Sequence, residues 1–107
     1  MKIVIGSDHG GFHLKEAIRR ELAEEGYEVK DVGTHSLDSC DYPLIAQDAT
    51  AAILAGEAEL GILICGTGIG IGIAANKVPG IRAALCHDVF SAKASRAHNN
   101  ANILTMG

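Results

Sequence analysis

Within residues 61–73, a short apolar run is followed directly by four closely spaced glycines. The run Ile62–Cys65 is short, continuous and aliphatic, as expected for a strand that is covered on both faces. Glycine then occupies every second position from Gly66 to Gly72. Such a loop lets the backbone approach a ligand closely, and a helix that begins there adds free N–H donors and a partial positive charge. The segment therefore predicts a buried strand, an anion-binding turn and a helix, with the thiol of Cys65 at the junction.

Strands and helices alternate along the whole chain. Apolar or alternating runs predict strands at residues 3–5, 27–32, 62–65, 81–86 and 101–106. Helical spacing predicts helices at residues 14–22, 41–56, 69–77 and 88–98. Their inward side chains are expected to include Leu14, Ile18 and Leu22 on the first helix and Val89, Phe90, Ala94 and Ala97 on the last. We therefore predict one α/β domain over residues 1–107, a three-layer αβα sandwich around a Rossmann-like parallel five-stranded sheet with strand order 2-1-3-4-5.

Composition argues against several classes of function. The chain has 107 residues, a net charge of −4 and no basic run, which disfavours nucleic-acid binding. No apolar run approaches the roughly 20 residues of a membrane span, and the N-terminal segment is too short and too soon polar for a signal peptide. The three cysteines, Cys40, Cys65 and Cys86, have no CxxC spacing, and their odd number argues against a closed set of disulfides. Reduced thiols fit a cytoplasmic protein.

Polar residues follow three of the predicted strands, at residues 7–9, 65–67 and 86–88. These positions fall at the sheet edge where ligands bind in open parallel sheets. A thiol at a helix N-terminus acts as a base or a nucleophile, whereas an ordinary buried thiol only packs, and both interpretations of Cys65 stay open. Asp8 is either a substrate-facing carboxylate or a helix cap. No grouping of histidine, cysteine and carboxylate has zinc-ligand spacing, so we predict no metal and no cofactor.

Five stretches of the chain carry the motifs of a known family. They are residues 7–11 (SDHGG), 41–43 (DYP), 61–79 (GILICGTGIGIGIAANKVP), 80–86 (GIRAALC) and 95–102 (SRAHNNAN). Together they resemble the ribose-5-phosphate isomerase B family, which also includes galactose-6-phosphate isomerase subunits. The resemblance covers the whole chain and implies a metal-free aldose–ketose isomerase that acts on a sugar phosphate. It also implies that the family continues beyond position 107 with a helix and an arginine-bearing tail, so this chain is expected to be short at its C-terminus.

The resemblance further implies a role for each matching residue. Cys65 would be the base that moves a proton between C1 and C2, and Thr67 would relay a proton between O1 and O2. His98, helped by Asp8, would open the sugar ring. The other expected substrate-binding groups are His9 at the phosphate, Asn99 at the sugar, and the backbone N–H groups of Gly66, Thr67, Gly68, Ile69 and Gly70 at the enediolate oxygen. His98 and Asn99 would come from the neighbouring subunit of a homodimer, or of a dimer within a tetramer.

Three functions remain open at this point. The first is the interconversion of ribose 5-phosphate and ribulose 5-phosphate. The second is the isomerisation of a hexose 6-phosphate, such as galactose or allose 6-phosphate, by the same chemistry. The third is a non-catalytic phosphate-binding module, which would use the glycine loop without needing Cys65 or His98. The preferred sugar cannot be chosen from the retained thiol alone.

Overall fold

The computed structural model describes all 107 residues and shows a parallel five-stranded sheet with helices on both faces. The predicted αβα architecture is thereby confirmed. A single 3-10 turn, His9–Gly11, precedes the first helix. In chain order, the elements are β1 (Lys2–Ser7), α1 (Phe12–Glu24), β2 (Glu28–Asp31), α2 (Tyr42–Leu54), β3 (Leu60–Ile64), α3 (Ile69–Asn76), β4 (Ala83–Leu85), α4 (Val89–Ala97) and β5 (Ile103–Met106).

The order of the last two strands differs from the prediction, because the sheet runs β2-β1-β3-β5-β4. Ile103 of β5 pairs with Gly61 of β3 on one side and with Ala83 of β4 on the other. β5 buries Ile103 and Thr105 almost completely, whereas the three residues of β4 are half-buried or exposed. A short and partly exposed strand is best tolerated at a sheet edge, so β5 takes the inner position.

The core lies between the sheet and the helix pair α2 and α3. The buried face of α2 is built largely from alanines, including Ala49 and Ala52, and Ala75 of α3 joins them. Leu63 and Ile103 meet these helices from the sheet. Small side chains allow helices to approach a sheet closely, so this face is tightly packed and holds β3 and α3 in fixed relative positions.

The opposite face departs from the predicted pattern at both of its helices. Leu14 of α1 is 39% exposed, and its neighbour Lys15 is fully buried instead. The Lys15 ammonium donates to Asp31 Oδ2 at 2.7 Å, so its aliphatic stem fills the space while its charge stays paired. Ile18 and Leu22 are half-buried, which is closer to the predicted inward orientation.

Helix α4 also turns a different side to the sheet. Val89 and Phe90 are 70% and 83% exposed, Ala97 is exposed, and the buried residue is Ser95. A helix has about 3.6 residues per turn, so burying Ser95 directs Phe90 and Ala97 away from the sheet. Val89 lies in the first turn at the rim, and Ala94 is half-buried. The predicted inward set is therefore wrong for all but Ala94.

The ion pairs of α1 make the stability of the fold sensitive to acid. A hydrogen bond from Arg19 at 2.7 Å, together with Lys15 at 3.2 Å, lowers the pKa of Glu16 from 4.5 to about 2. The folded pKa lies below the unfolded pKa, so this stabilisation is complete above about pH 4.5 and is lost as the pH falls toward 2. We expect urea unfolding to show a smaller loss of stability over this window in Glu16→Gln than in the wild type. Exposed Glu24→Gln is the control, and equal acid sensitivity of Glu16→Gln and wild type would contradict the account.

Candidate active site

Strands β1, β3 and β5 end at the same level of the sheet, and this brings their following residues together. Ser7 pairs with Ile64, and Ile64 pairs with Met106. The Asp8 N–H donates to the Ile64 carbonyl at 3.1 Å, and the Cys65 N–H donates to the Met106 carbonyl at 3.3 Å. The chain segments after β1 and β3 therefore lie side by side at the carboxyl edge, where ligands bind in such sheets.

The thiol of Cys65 is 5% exposed and has a backbone donor. The Gly68 N–H donates to Cys65 Sγ at 3.1 Å, just before the first residue of α3. Gly68 has a φ of +77°, and a Cβ at this position would lie 2.7 Å from the Met106 carbonyl carbon. Only glycine fits this conformation and this space without strain. This donor holds the Cys65 sulfur at the N-terminal end of α3.

The glycine loop also presents backbone donors that no protein group uses. The N–H groups of Gly66, Thr67 and Gly70 make no hydrogen bond within the chain. Two other expected donors are already engaged, since Gly68 donates to Cys65 and Ile69 donates to Thr67 Oγ1 at 3.1 Å. Three N–H groups of the loop that follows Cys65 are thus available to an anionic ligand.

Asp8 and His9 border the loop from the end of β1. Asp8 is nearly buried, and its Oδ1 accepts the Gly11 N–H at 3.1 Å, so the capping interpretation is observed. A Cβ on Gly10 would lie 3.3 Å from this oxygen and 3.5 Å from the Gly66 nitrogen, which shows how closely the two loops approach. The second carboxylate oxygen of Asp8 has no protein partner and stays free for a ligand.

The ring of His9 is held by a residue far away in the sequence. Its Nδ1 accepts the Cys40 N–H at 3.2 Å. A ring nitrogen that accepts a hydrogen bond carries no proton, so this contact assigns the proton of neutral His9 to Nε2. The exposed His9 side chain can therefore donate from Nε2 to an acceptor such as a phosphate oxygen.

His98 and Asn99 do not join Cys65 within one chain. They are exposed and lie between the end of α4 and the start of β5, at the amino edge of the sheet. Cys65 follows the carboxyl end of β3, and a strand of four residues spans about 13 Å. The two arginines near this turn, Arg82 and Arg96, donate to the carbonyls of Asn99 and Ala101 there. Neither arginine reaches the carboxyl edge of its own chain.

The third polar cluster, after β4, serves packing and capping. Cys86 is buried. Asp88 caps α4 by accepting the Ser91 N–H at 2.7 Å, and this hydrogen bond lowers the pKa of the Asp88 carboxyl below its usual value. Both residues therefore have structural roles in this chain.

Tyr42 is a neighbour of the site that the sequence interpretation did not include. A Cβ on Gly70 would lie 2.8 Å from Tyr42 Cζ and 2.9 Å from its hydroxyl oxygen, so the ring lies directly against the glycine loop. Gly107 closes the loop from another side, where a Cβ would lie 2.6 Å from Thr67 Cα. The DYP stretch is the only signal in the sequence that points to Tyr42.

Three further findings concern the chain as a whole. All three cysteines are free thiols. No group of three or more His, Cys, Asp and Glu side chains is arranged to hold a metal ion. None of the helices combines the length and apolar character that a membrane crossing needs.

Comparison with known proteins identifies the family of this chain. The family model described as Ribose/Galactose Isomerase matches residues 3–107. Ribose-5-phosphate isomerase B of Escherichia coli (strain K12) is 52% identical over 106 residues, which cover 99% of this chain and 71% of that protein. D-erythrulose-4-phosphate isomerase 2 of Mycolicibacterium smegmatis is 48% identical over 110 residues, which cover 100% of this chain and 72% of that protein.

The backbone of a solved structure matches that of this chain. Clostridium thermocellum ribose-5-phosphate isomerase B is 57% identical and superposes with a TM-score of 0.99, covering 100% of this chain and 72% of that chain. Identity at this level accompanies a family match that spans almost every residue. The chain therefore belongs to the ribose/galactose isomerase family.

Proposed function

We propose that this chain is an aldose–ketose isomerase that interconverts ribose 5-phosphate and ribulose 5-phosphate through an enediolate. The observation that carries the proposal is that Cys65, whose sulfur accepts the Gly68 N–H, is followed by a loop with three unused N–H donors, those of Gly66, Thr67 and Gly70. Enolisation needs a base on one side and preorganised donors where negative charge develops. The names of the E. coli and C. thermocellum relatives support ribose 5-phosphate as the substrate.

In the proposed reaction, the Cys65 thiolate takes the proton from C2 of the open-chain aldose. The C–H electron pair forms the C1–C2 double bond, and the carbonyl pair moves onto O1, where the free N–H groups hold the negative charge. The Thr67 hydroxyl gives its proton to O1 and takes one from O2. The C2 carbonyl then forms, and C1 receives the proton from the Cys65 thiol. All protons are conserved, and the steps use no metal and no external oxidant.

The neighbouring residues have matching proposed roles. His9 donates from Nε2 to the phosphate, because its Nδ1 is occupied by the Cys40 N–H. The free oxygen of Asp8 assists ring opening, for which His98 supplies the proton transfer. Because His98 and Asn99 lie at the opposite sheet edge from Cys65, we assign them to the site of a partner copy. The working enzyme is then a homodimer with shared sites, and its free thiols favour the cytoplasm.

A mixed dimer tests this shared site. Cys65→Ala and His98→Ala are each expected to be inactive, because every site of either homodimer lacks one group. Co-expressed with two different affinity tags and purified as mixed dimers, they should recover about half of the wild-type activity per dimer, because one of the two sites is then complete. His13→Ala, an exposed histidine on α1, is the control that stays active. If verified mixed dimers recovered no isomerase activity, the assignment of a shared site would be contradicted.

Two alternatives keep specific support. The proposed chemistry involves only C1, C2 and their oxygens, so it does not select the length of the sugar. A relative named for a four-carbon sugar phosphate is 48% identical to this chain, and one named for ribose 5-phosphate is 52% identical. A hexose 6-phosphate, such as galactose or allose 6-phosphate, is the second substrate class, and the family description Ribose/Galactose Isomerase supports it. The other alternative is a non-catalytic phosphate-binding module that uses the same N–H groups. In that case, neither the wild type nor Cys65→Ala would turn over sugar phosphate, and Cys65→Ala would still bind it.

A further inference from the structure

A single hydrogen bond ties the middle of the β2–α2 loop, residues 32–41, to the rest of the protein. Residues 35–39 of this loop are exposed. The Asp38 N–H donates to Ser36 Oγ inside the loop. Only the Cys40 N–H reaches another segment, where it donates to His9 Nδ1 at 3.2 Å. This contact joins the loop to the end of β1, beside the glycine loop.

The β2–α2 loop is held on both sides of this contact. Near its start, the Thr34 N–H donates to the Ser7 carbonyl at 2.6 Å. Directly after its end, the ring of Tyr42 lies against Gly70. The backbone is therefore supported before and after Cys40, and the N–H of Cys40 has a defined direction.

The contact determines what the His9 ring can offer to an anion. With the Nδ1 lone pair occupied, the proton of the neutral ring lies on Nε2, which then donates. Without the Cys40 N–H, the exposed ring would be free to rotate and to carry its proton on Nδ1. The bare lone pair of Nε2 would then repel a phosphate oxygen. A side chain that is already oriented also loses less conformational entropy when a ligand binds.

We propose that Cys40 is a positioning residue for phosphate binding, and that its backbone N–H acts through His9. The inference rests on the proposed role of His9 as a donor to the phosphate, and it adds the group that orients this donor. The thiol of Cys40 takes no part. The β2–α2 loop thereby contributes to the selection of phosphorylated over unphosphorylated sugars.

NMR spectroscopy of the 15N-labelled 107-residue protein tests the contact without requiring turnover. The spectra record the coupling across the N–H···N hydrogen bond between Cys40 and His9, and the tautomer of the ring, with and without inorganic phosphate. The signals of His9 are assigned by their loss in His9→Ala. At about pH 8, where an ordinary histidine is neutral, we expect the coupling to be present and the proton to lie on Nε2. Phosphate should shift the signals of Nε2 and of the Cys40 amide.

Two substitutions separate the N–H of Cys40 from its side chain. Cys40→Pro removes the N–H, whereas Cys40→Ala keeps it. In Cys40→Pro, we expect the Kd for inorganic phosphate and the KM for ribose 5-phosphate to rise about three- to tenfold, with a smaller change in kcat. Cys40→Ala should retain the wild-type values. In a His9→Ala background, Cys40→Pro should cause no further loss, because the partner of the N–H is already absent.

Three results would overturn the proposal. The first is a wild-type protein without the coupling, or with the His9 proton on Nδ1. The second is a phosphate titration that leaves the His9 signals unchanged. The third is an equal loss of phosphate affinity from Cys40→Pro with and without His9, which would show that proline only disturbs the loop. If Cys40→Pro fails to fold by circular dichroism, the coupling and the tautomer decide.

The same measurements distinguish this inference from the proposed reaction. A protein that shows the contact and binds phosphate through His9, but converts no sugar phosphate, would refute the isomerase proposal and support the positioning role of Cys40. A protein that isomerises ribose 5-phosphate without the contact would do the reverse.

Discussion

Replacing Cys65 by alanine is expected to lower the turnover of ribose 5-phosphate by at least about 10²-fold, the usual scale for a positioned base. The side chain is small and lies at the end of β3, so the loss of one sulfur leaves the surrounding core in place. Turnover falls because no other group of the loop can take the proton from C2. Steady-state assays, combined with circular dichroism and melting curves, separate this effect from unfolding.

Cys86→Ala is the matched control for this substitution. Cys86 is also buried and also follows a strand, but no backbone N–H group points at its sulfur. We expect this variant to keep near-normal turnover. Near-normal turnover of Cys65→Ala would remove the base role, and an equal loss in both variants would show that packing, not proton transfer, accounts for the effect.

Gly68→Ala is expected to destabilise the fold by about 2–5 kcal/mol. An L-residue at the observed φ of +77° costs about 1–2 kcal/mol, and a methyl group 2.7 Å from backbone of β5 adds about 1–3 kcal/mol of overpacking. Relief of this clash must shift either Met106 or the N–H group that holds the Cys65 sulfur. Urea denaturation measures the loss.

Gly66→Ala provides the comparison within the same loop. A Cβ on Gly66 meets nothing within 4 Å, and its backbone φ lies outside the range restricted to glycine. We expect its free energy of unfolding to stay within about 0.5 kcal/mol of the wild type, as for ordinary surface substitutions. If the two alanine variants proved equally stable, the close packing of Gly68 against β5 would be contradicted.

The carboxyl-edge loops could be predicted because their signals are local. The apolar run before Cys65 and the glycines after it specify a strand, a turn and a helix start within a dozen residues. The hydrogen bond between His9 and Cys40 joins residues 31 positions apart, and no local pattern encodes it. The position of His98 at the other sheet edge follows from the predicted alternation, because His98 lies between a helix and the parallel strand after it.

The errors have equally specific causes. Phe90 is apolar and in helical register, yet the sheet side of α4 is taken by small residues, and Phe90 is left 83% exposed. Lys15 counts as polar in any periodicity, although its paired charge lets it occupy the most buried position of α1. The exchange of β4 and β5 depends on which strand buries more surface, a comparison between two segments that neither segment shows by itself.

The most direct test of the account is to follow ribose 5-phosphate by NMR in D2O with the purified 107-residue protein. The account predicts that ribulose 5-phosphate forms and carries solvent deuterium at C1, because the Cys65 thiol exchanges its proton before returning it. Galactose 6-phosphate, allose 6-phosphate and erythrulose 4-phosphate are tested in parallel to define the substrate class. A correctly folded dimer that converts none of these sugar phosphates would contradict the central claim.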